Sequence, residues 1–172
     1  DELEKVKEEI RRLLRRIEED VKRSEERNKE LLRRITEEVK RSERRNEELL
    51  KEIKDKVDSE ILRKVEKAVE DSLRRLREVL RKVKEVVERV LETNRRILEE
   101  IKEVVERVEK LLDERDLKKV REDLERMLRR VEEELKRSNE ESERAIEEVR
   151  RELEDIDRES RKAIEDVLRE EK

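Results

Sequence analysis

The chain of 172 residues has no Gly, Pro, Cys, His, Phe, Tyr or Trp. Each absence removes a class of chemistry. Without Cys there is no disulfide, and without Cys or His no metal centre built on those ligands. Without His, Ser-His and Cys-His catalysis is excluded, because a nucleophilic Ser needs an adjacent base. Without aromatics there is no stacking platform for nucleic-acid bases. Globular domains average about 7% Gly and about 5% Pro, so losing both points away from a fold rich in turns. Nor does any apolar run approach the ~20 residues of a membrane span, and no signal-like segment opens the sequence. The chain is expected to be soluble.

What remains is charge and aliphatic carbon. Lys and Arg number 51, Asp and Glu 55, so charged residues are 62% of the chain while the net charge is only -4. Such a composition fits disorder as readily as helix. The order of the apolar residues decides for helix. Leu3, Val6, Ile10, Leu13, Leu14 and Ile17 recur at a fixed interval as Val21, Ser24, Asn28, Leu31, Leu32 and Ile35. They recur again as Val39, Ser42, Asn46, Leu49, Leu50 and Ile53. The block VKRSEERNKELLRRITEE is followed by its near-copy VKRSERRNEELLKEIKDK.

The same period governs the rest. Leu62, Leu80 and Leu98 match, as do Val69, Val87 and Val105. In the last third Leu117, Leu135 and Leu153 match, as do Val131, Val149 and Val167. Such a block makes five whole turns at about 3.6 residues per turn, so each apolar stripe runs parallel to its axis. Nearly straight helices of about 80 Å are expected. At about 100° per residue the stripe jumps by roughly 120° between thirds, so one continuous helix would have no single face to bury. Turns are therefore placed near Val57-Asp58-Ser59 and Asp113-Glu114-Arg115-Asp116. Asp58 or Ser59 would cap the second helix, Asp113 or Asp116 the third, and Asp1 with Glu4 resembles a capping box. The expected fold is all-α: an up-down-up antiparallel three-helix bundle, one domain over 1-172, with helices at about 2-57, 59-113 and 116-171.

The stripe of the second helix is broader than the others. Its edges are Ala68, Val86 and Val104 on one side and Leu73 and Leu91 on the other. Packing against long Arg and Lys stems is the simpler account; a lateral contact with another chain is the alternative.

The informative residues are polar ones on the apolar stripes. They are Ser24, Asn28, Ser42 and Asn46 in the first helix, Ser72 and Asn94 in the second, with Thr93 beside it, and Ser138, Ser142 and Ser160 in the third, with Asn139 nearby. In an antiparallel bundle with a turn near 58, residue n of the second helix lies level with about 115-n of the first, and residue m of the third with about m-114. Ser24, Asn28, Asn94, Ser138 and Ser142 then share one level. Ser42, Asn46, Ser72 and Ser160 share another. Two buried hydrogen-bond networks are expected, since buried polar groups must find partners. A slip of one turn would strand every donor and acceptor, so such layers would set helix register. The level of Leu3 to Ile17 is expected to be purely apolar.

Other chemistry finds no support. A ligand pocket among these Ser and Asn residues would lack the usual aromatic lining. Glu pairs such as Glu99-Glu100, and the run Glu132-Glu133-Glu134, sit outside the apolar arcs, whereas di-metal bundle sites need inward Glu. Arg11-Arg12 and Arg15-Arg16 are interleaved with Glu rather than gathered on one basic face, so no nucleic-acid footprint results. Met127 aligns with Ala145 and Ala163 and reads as core filler. No catalytic residue, cofactor, metal, nucleic acid, membrane or small-molecule substrate is expected.

The 18-residue blocks, the surfaces saturated with Glu, Lys and Arg, the Leu/Ile/Val core and the Ser/Asn layers together resemble computationally designed, parametrically generated helical bundles with buried hydrogen-bond networks. The resemblance covers all 172 residues. It implies a stable scaffold with no natural function and no natural compartment, expected in the cytoplasm on recombinant expression. The alternative it implies is an interaction module that self-associates or binds another helical chain. Turns without Gly or Pro depart from the class. A spectrin-like repeat would share the topology but lacks its Trp here, and an apolipoprotein-like lipid binder would carry Pro and aromatics.

Overall fold

The computed structural model describes residues 1-111 and 113-170, and of the expected helix ends the one at Glu171 lies outside them. The described residues form three helices: α1 (Glu2–Lys54), α2 (Ser59–Lys110) and α3 (Glu114–Glu170). No strand occurs among the described residues. The fold is an all-α three-helix bundle.

Both turns lack glycine, and no positive φ occurs among the described residues. Each turn instead ends on an Asp cap. The Asp58 carboxylate accepts from the Ile61 amide at 2.9 Å, and its carbonyl takes the first intrahelical bond, from Leu62. Asp113 does the same with Arg115 at 3.0 Å and with Leu117. Asp58 and Asp113 are thus the caps, and Ser59 and Asp116 lie inside the first turns. α1 stops at Lys54, short of the expected end at 57, because the Lys56 amide closes a tighter turn on Ile53. α2 ends at Lys110 rather than 113, and α3 begins at Glu114 rather than 116.

By compactness the chain divides into two units, each holding a segment of all three helices: residues 1-29 with 87-142, and residues 30-86 with 143-172. In the first unit, Glu9 pairs with Arg121 and Arg16 with Glu132, so α1 and α3 run parallel. Arg11 pairs with Glu109 while Asn94 meets Ser24, so α2 runs antiparallel to α1. Its core gathers Ile10, Leu14 and Ile17 with Ile97, Ile101, Leu117, Leu124 and Met127. In the second unit, Glu38 meets Arg150 and Ser42 meets Asp157, again parallel, and Ser72 meets Ser160 antiparallel. Ile53, Val65, Val69 and Ile164 form a core cluster there, with Leu49, Leu73 and Leu168 against it.

The broad stripe of α2 has an internal explanation. Arg75 and Arg89, which flank the edge of Ala68, Val86 and Val104, reach Glu159 and Glu141 of α3. Ala68, Val86 and Val104 are accordingly half-buried, as are Leu73 and Leu91 on the opposite edge.

Two positions depart from the repeat. Val69 and Val87 are buried, but Val105, their equivalent, is 38% exposed. There the buried line runs through Ile101, half-buried Val104 and Val108, and bypasses Val105. Lys7, at the level expected to be wholly apolar, is only 7% exposed. A long aliphatic stem can be covered in this way at an otherwise apolar level.

Candidate functional site: the buried polar residues

In the first unit, α1 carries Ser24 and Asn28 one turn apart, α2 brings Asn94 opposite, and α3 supplies Asn139. Ser24 donates its hydroxyl hydrogen to Asn139 Oδ1 at 2.9 Å. Asn28 Nδ2 donates to the Ser24 carbonyl at 2.8 Å and to Asn139 Oδ1 at 3.2 Å. Asn94 Nδ2 donates to Ser24 Oγ at 3.2 Å. All three helices therefore meet at the Ser24 hydroxyl, and Asn139 Oδ1 takes a second bond from α1. Ser24, Asn28 and Asn94 are buried, and Asn139 is half-buried.

The third-helix members differ from the sequence expectation. Ser142 is fully buried, yet its hydroxyl turns back to the Asn139 carbonyl at 3.0 Å. Such a bond to the preceding turn serves the helix it belongs to. Ser138 is half-buried and is not bonded into the set. Asn139, which the sequence places at the margin of the stripe, is the residue that ties α3 to the set. Its signal was present: it stands 115 residues after Ser24, and Asp157 stands the same distance after Ser42.

The second unit holds two separate pairings. Ser42 donates to Asp157 Oδ1 at 2.6 Å, and Arg45 donates to Asp157 Oδ2 at 2.8 Å. Ser72 and Ser160 share a hydrogen bond at 3.2 Å, and Ser72 also bonds the Ala68 carbonyl. Asn46 is 1% exposed and bonded to neither pair. Asp157 is a half-buried carboxylate at the edge of the stripe, where the sequence led one to expect only uncharged partners. The charge is tolerated because Ser42 and Arg45 each bond one of its oxygens.

Among the described residues, three buried amide atoms have no protein partner: Asn28 Oδ1, Asn94 Oδ1 and Asn46 Nδ2. A buried amide atom left without any partner would cost about 1-3 kcal/mol, so these three atoms are the places where an ordered water would serve the layers.

The surrounding surface is held by exposed ion pairs. Hydrogen bonds from Arg33 hold the Glu30 carboxyl below the ordinary range, and those from Arg81 do the same for Glu78. Across helices, hydrogen bonds from Arg11 to Glu109 and from Arg121 to Glu9 raise the two guanidinium groups above their usual value. No cluster of three potential metal ligands exists among the described residues, and no helix there is long and apolar enough to cross a membrane.

No protein-family model, no curated protein and no solved structure matches the chain.

Proposed function

We propose that the chain is a designed structural scaffold, with no natural biochemical activity and no required cofactor or partner, whose buried polar residues set the register of its helices. One observation carries the reading: Ser24, Asn28, Asn94 and Asn139 are bonded to one another from three helices. An apolar core packs nearly as well after a slip of one turn, whereas this set would lose all its bonds between helices at once. The designed origin rests on the 18-residue blocks and on the saturation of the surface with interleaved charge.

The competing reading is a module that self-associates or takes up another helical chain. It needs an unspent apolar face. Among the described residues Val105 is the one large hydrophobic side chain that is exposed, and the apolar edges of α2 are half-buried. A face of one Val is far below a recognition patch of several hundred Å². Sedimentation equilibrium decides: a mass of 21.3 kDa across concentrations supports the scaffold, and twice that mass overturns it.

A further inference from the structure

The connection between α1 and α2, residues 55-58, reads Asp-Lys-Val-Asp, with neither Gly nor Pro. None of the four has a positive φ, so no left-handed residue obliges the chain to turn there. Asp55, Lys56 and Asp58 are exposed and Val57 is half-buried, so little of the core depends on them. The Lys56 amide closes on the Ile53 carbonyl at 3.0 Å, and the Asp58 carboxylate accepts from the Ile61 amide at 2.9 Å. The Asp58 carbonyl already takes the Leu62 amide, four residues on, as in an uninterrupted helix. Continued as helix, the segment would bond each amide from Lys56 to Ile61 to the carbonyl four residues back. Glu52 with Lys56, and Lys54 with Asp58, would become i, i+4 ion pairs. The Asp58 side chain is thus the local device that starts a new helix here instead of prolonging the old one.

A single chain gains nothing by straightening. The apolar stripe turns by roughly 120° between α1 and α2, so a lone fused helix would leave the α1 face uncovered. The surface already shaped for that face is the one α2 and α3 present together, and a second straightened copy presents the same surface. We propose that the α1–α2 connection is a latent hinge, that the Asp58 cap holds it closed, and that without this cap two copies exchange α1 to form an interlocked dimer. Each α1 then repeats, on the other copy, the contacts it makes within its own chain, including the bonds of Ser24 to Asn94 and Asn139. The exchange sacrifices the bonds of the turn and the freedom of two separate chains, so it is driven by concentration. This inference rests on the scaffold reading, in which the unaltered chain is a monomer.

The test is refolding from denaturant at about 1 mM chain, followed by light scattering. The unaltered chain should return at 21.3 kDa, and Asp58→Ala should yield a dimer of twice that mass. The association constant should rise by at least about tenfold, because both copies have lost the cap that favours the closed form. Adding Ser59→Pro to Asp58→Ala should restore the monomer. Pro suits the first residue of a helix, which Ser59 is, but breaks a helix that runs through it. Asn139→Ala, weakened elsewhere with its cap intact, should stay monomeric. Nitroxide labels at exposed Arg12 and Glu106, which flank the Arg11–Glu109 pair between α1 and α2, report which copy supplies α1. In the exchanged dimer their short distance lies between copies, so it disappears when labelled chains are refolded with a large excess of unlabelled ones. A monomeric Asp58→Ala, a dimer equally abundant in the unaltered chain or in Asn139→Ala, one that survives Ser59→Pro, or one whose short distance withstands dilution would each overturn the hinge. The scaffold reading fails separately, on the mass of the unaltered chain.

Discussion

Ser24 of α1 and Asn139 of α3 are joined by a hydroxyl-to-amide hydrogen bond of 2.9 Å, and one repeat later Ser42 makes the equivalent bond of 2.6 Å to Asp157. The pairing therefore recurs one block on in both helices, with an amide acceptor in one unit and a carboxylate in the other. α2 breaks this repetition. Its polar residues Ser72 and Asn94 are not spaced by one block, so each unit receives a different partner from α2.

If Asn139 ties α3 to the set, Asn139→Ala should destabilise the fold by about 1-3 kcal/mol, because Ser24 and Asn28 both lose an acceptor. Ser138→Ala, at the neighbouring position, should stay within about 0.5 kcal/mol. Chemical denaturation of the two variants measures both. Equal effects would remove Asn139 from its place in the layer.

Asp157→Asn keeps an oxygen for Ser42 and should cost less than Asp157→Ala, which orphans a buried hydroxyl. A difference of about 1 kcal/mol between the two is expected from denaturation midpoints. The exposed Arg45 pair adds little to it, since such pairs contribute at most about 1 kcal/mol.

The caps should be separable from the layers. Asp58→Ala and Asp113→Ala each remove the acceptor of one helix-end amide and should cost about 0.5-2 kcal/mol. Their effects should add, because the caps serve different helices in different units. A thermal or urea midpoint series of the two single variants and the double variant checks this.

Glu30 and Glu78 have lowered folded-state pKa values, so they bind protons less readily than in the unfolded chain. Their contribution is present above the unfolded carboxylate pKa of about 4.3 and is lost as pH falls through the depressed folded values. The effect is expected to be small, since both groups are exposed and screened. Carbon-detected NMR titration should place both carboxyls below the ordinary Glu range, and Arg81→Gln should return Glu78 toward it.

The fold was legible because the repeat spans a whole number of helical turns, so a stripe and its phase jumps could be read without any propensity. Asp58 and Asp113 were each one of two caps the sequence offered, and only the side-chain bonds to Ile61 and Arg115 chose between them. The exposure of Val105 was not legible, because the repeat assigns it the phase of Val69 and Val87 and only the packing at the end of α2 separates them. Asn139 and Asp157 lie at the stripe edge, where angle alone does not tell a rim residue from a network member. Ser142 had the right angle, yet a hydroxyl can bond its own backbone as well as a neighbour. Lys7 was missed because the burial of a long stem depends on what passes over it.

Whether the polar residues fix register is answered by pulsed electron-spin distance measurement. Nitroxide labels at exposed Glu26 of α1 and Glu103 of α2 both lie in the first unit. They sit at different heights along the two helices, so a slip changes their separation directly. In the native chain one narrow distance distribution is expected. With Ser24, Asn28, Asn94, Asn139, Ser42, Asn46, Ser72, Asp157 and Ser160 all replaced by aliphatic residues, the melting temperature should rise by a few degrees to about 10 °C. The same variant should show a broadened distribution or a second population displaced by about one turn, roughly 5.4 Å along the axis. A fully apolar variant with the native distance and the native width would mean that the polar residues do not set the register.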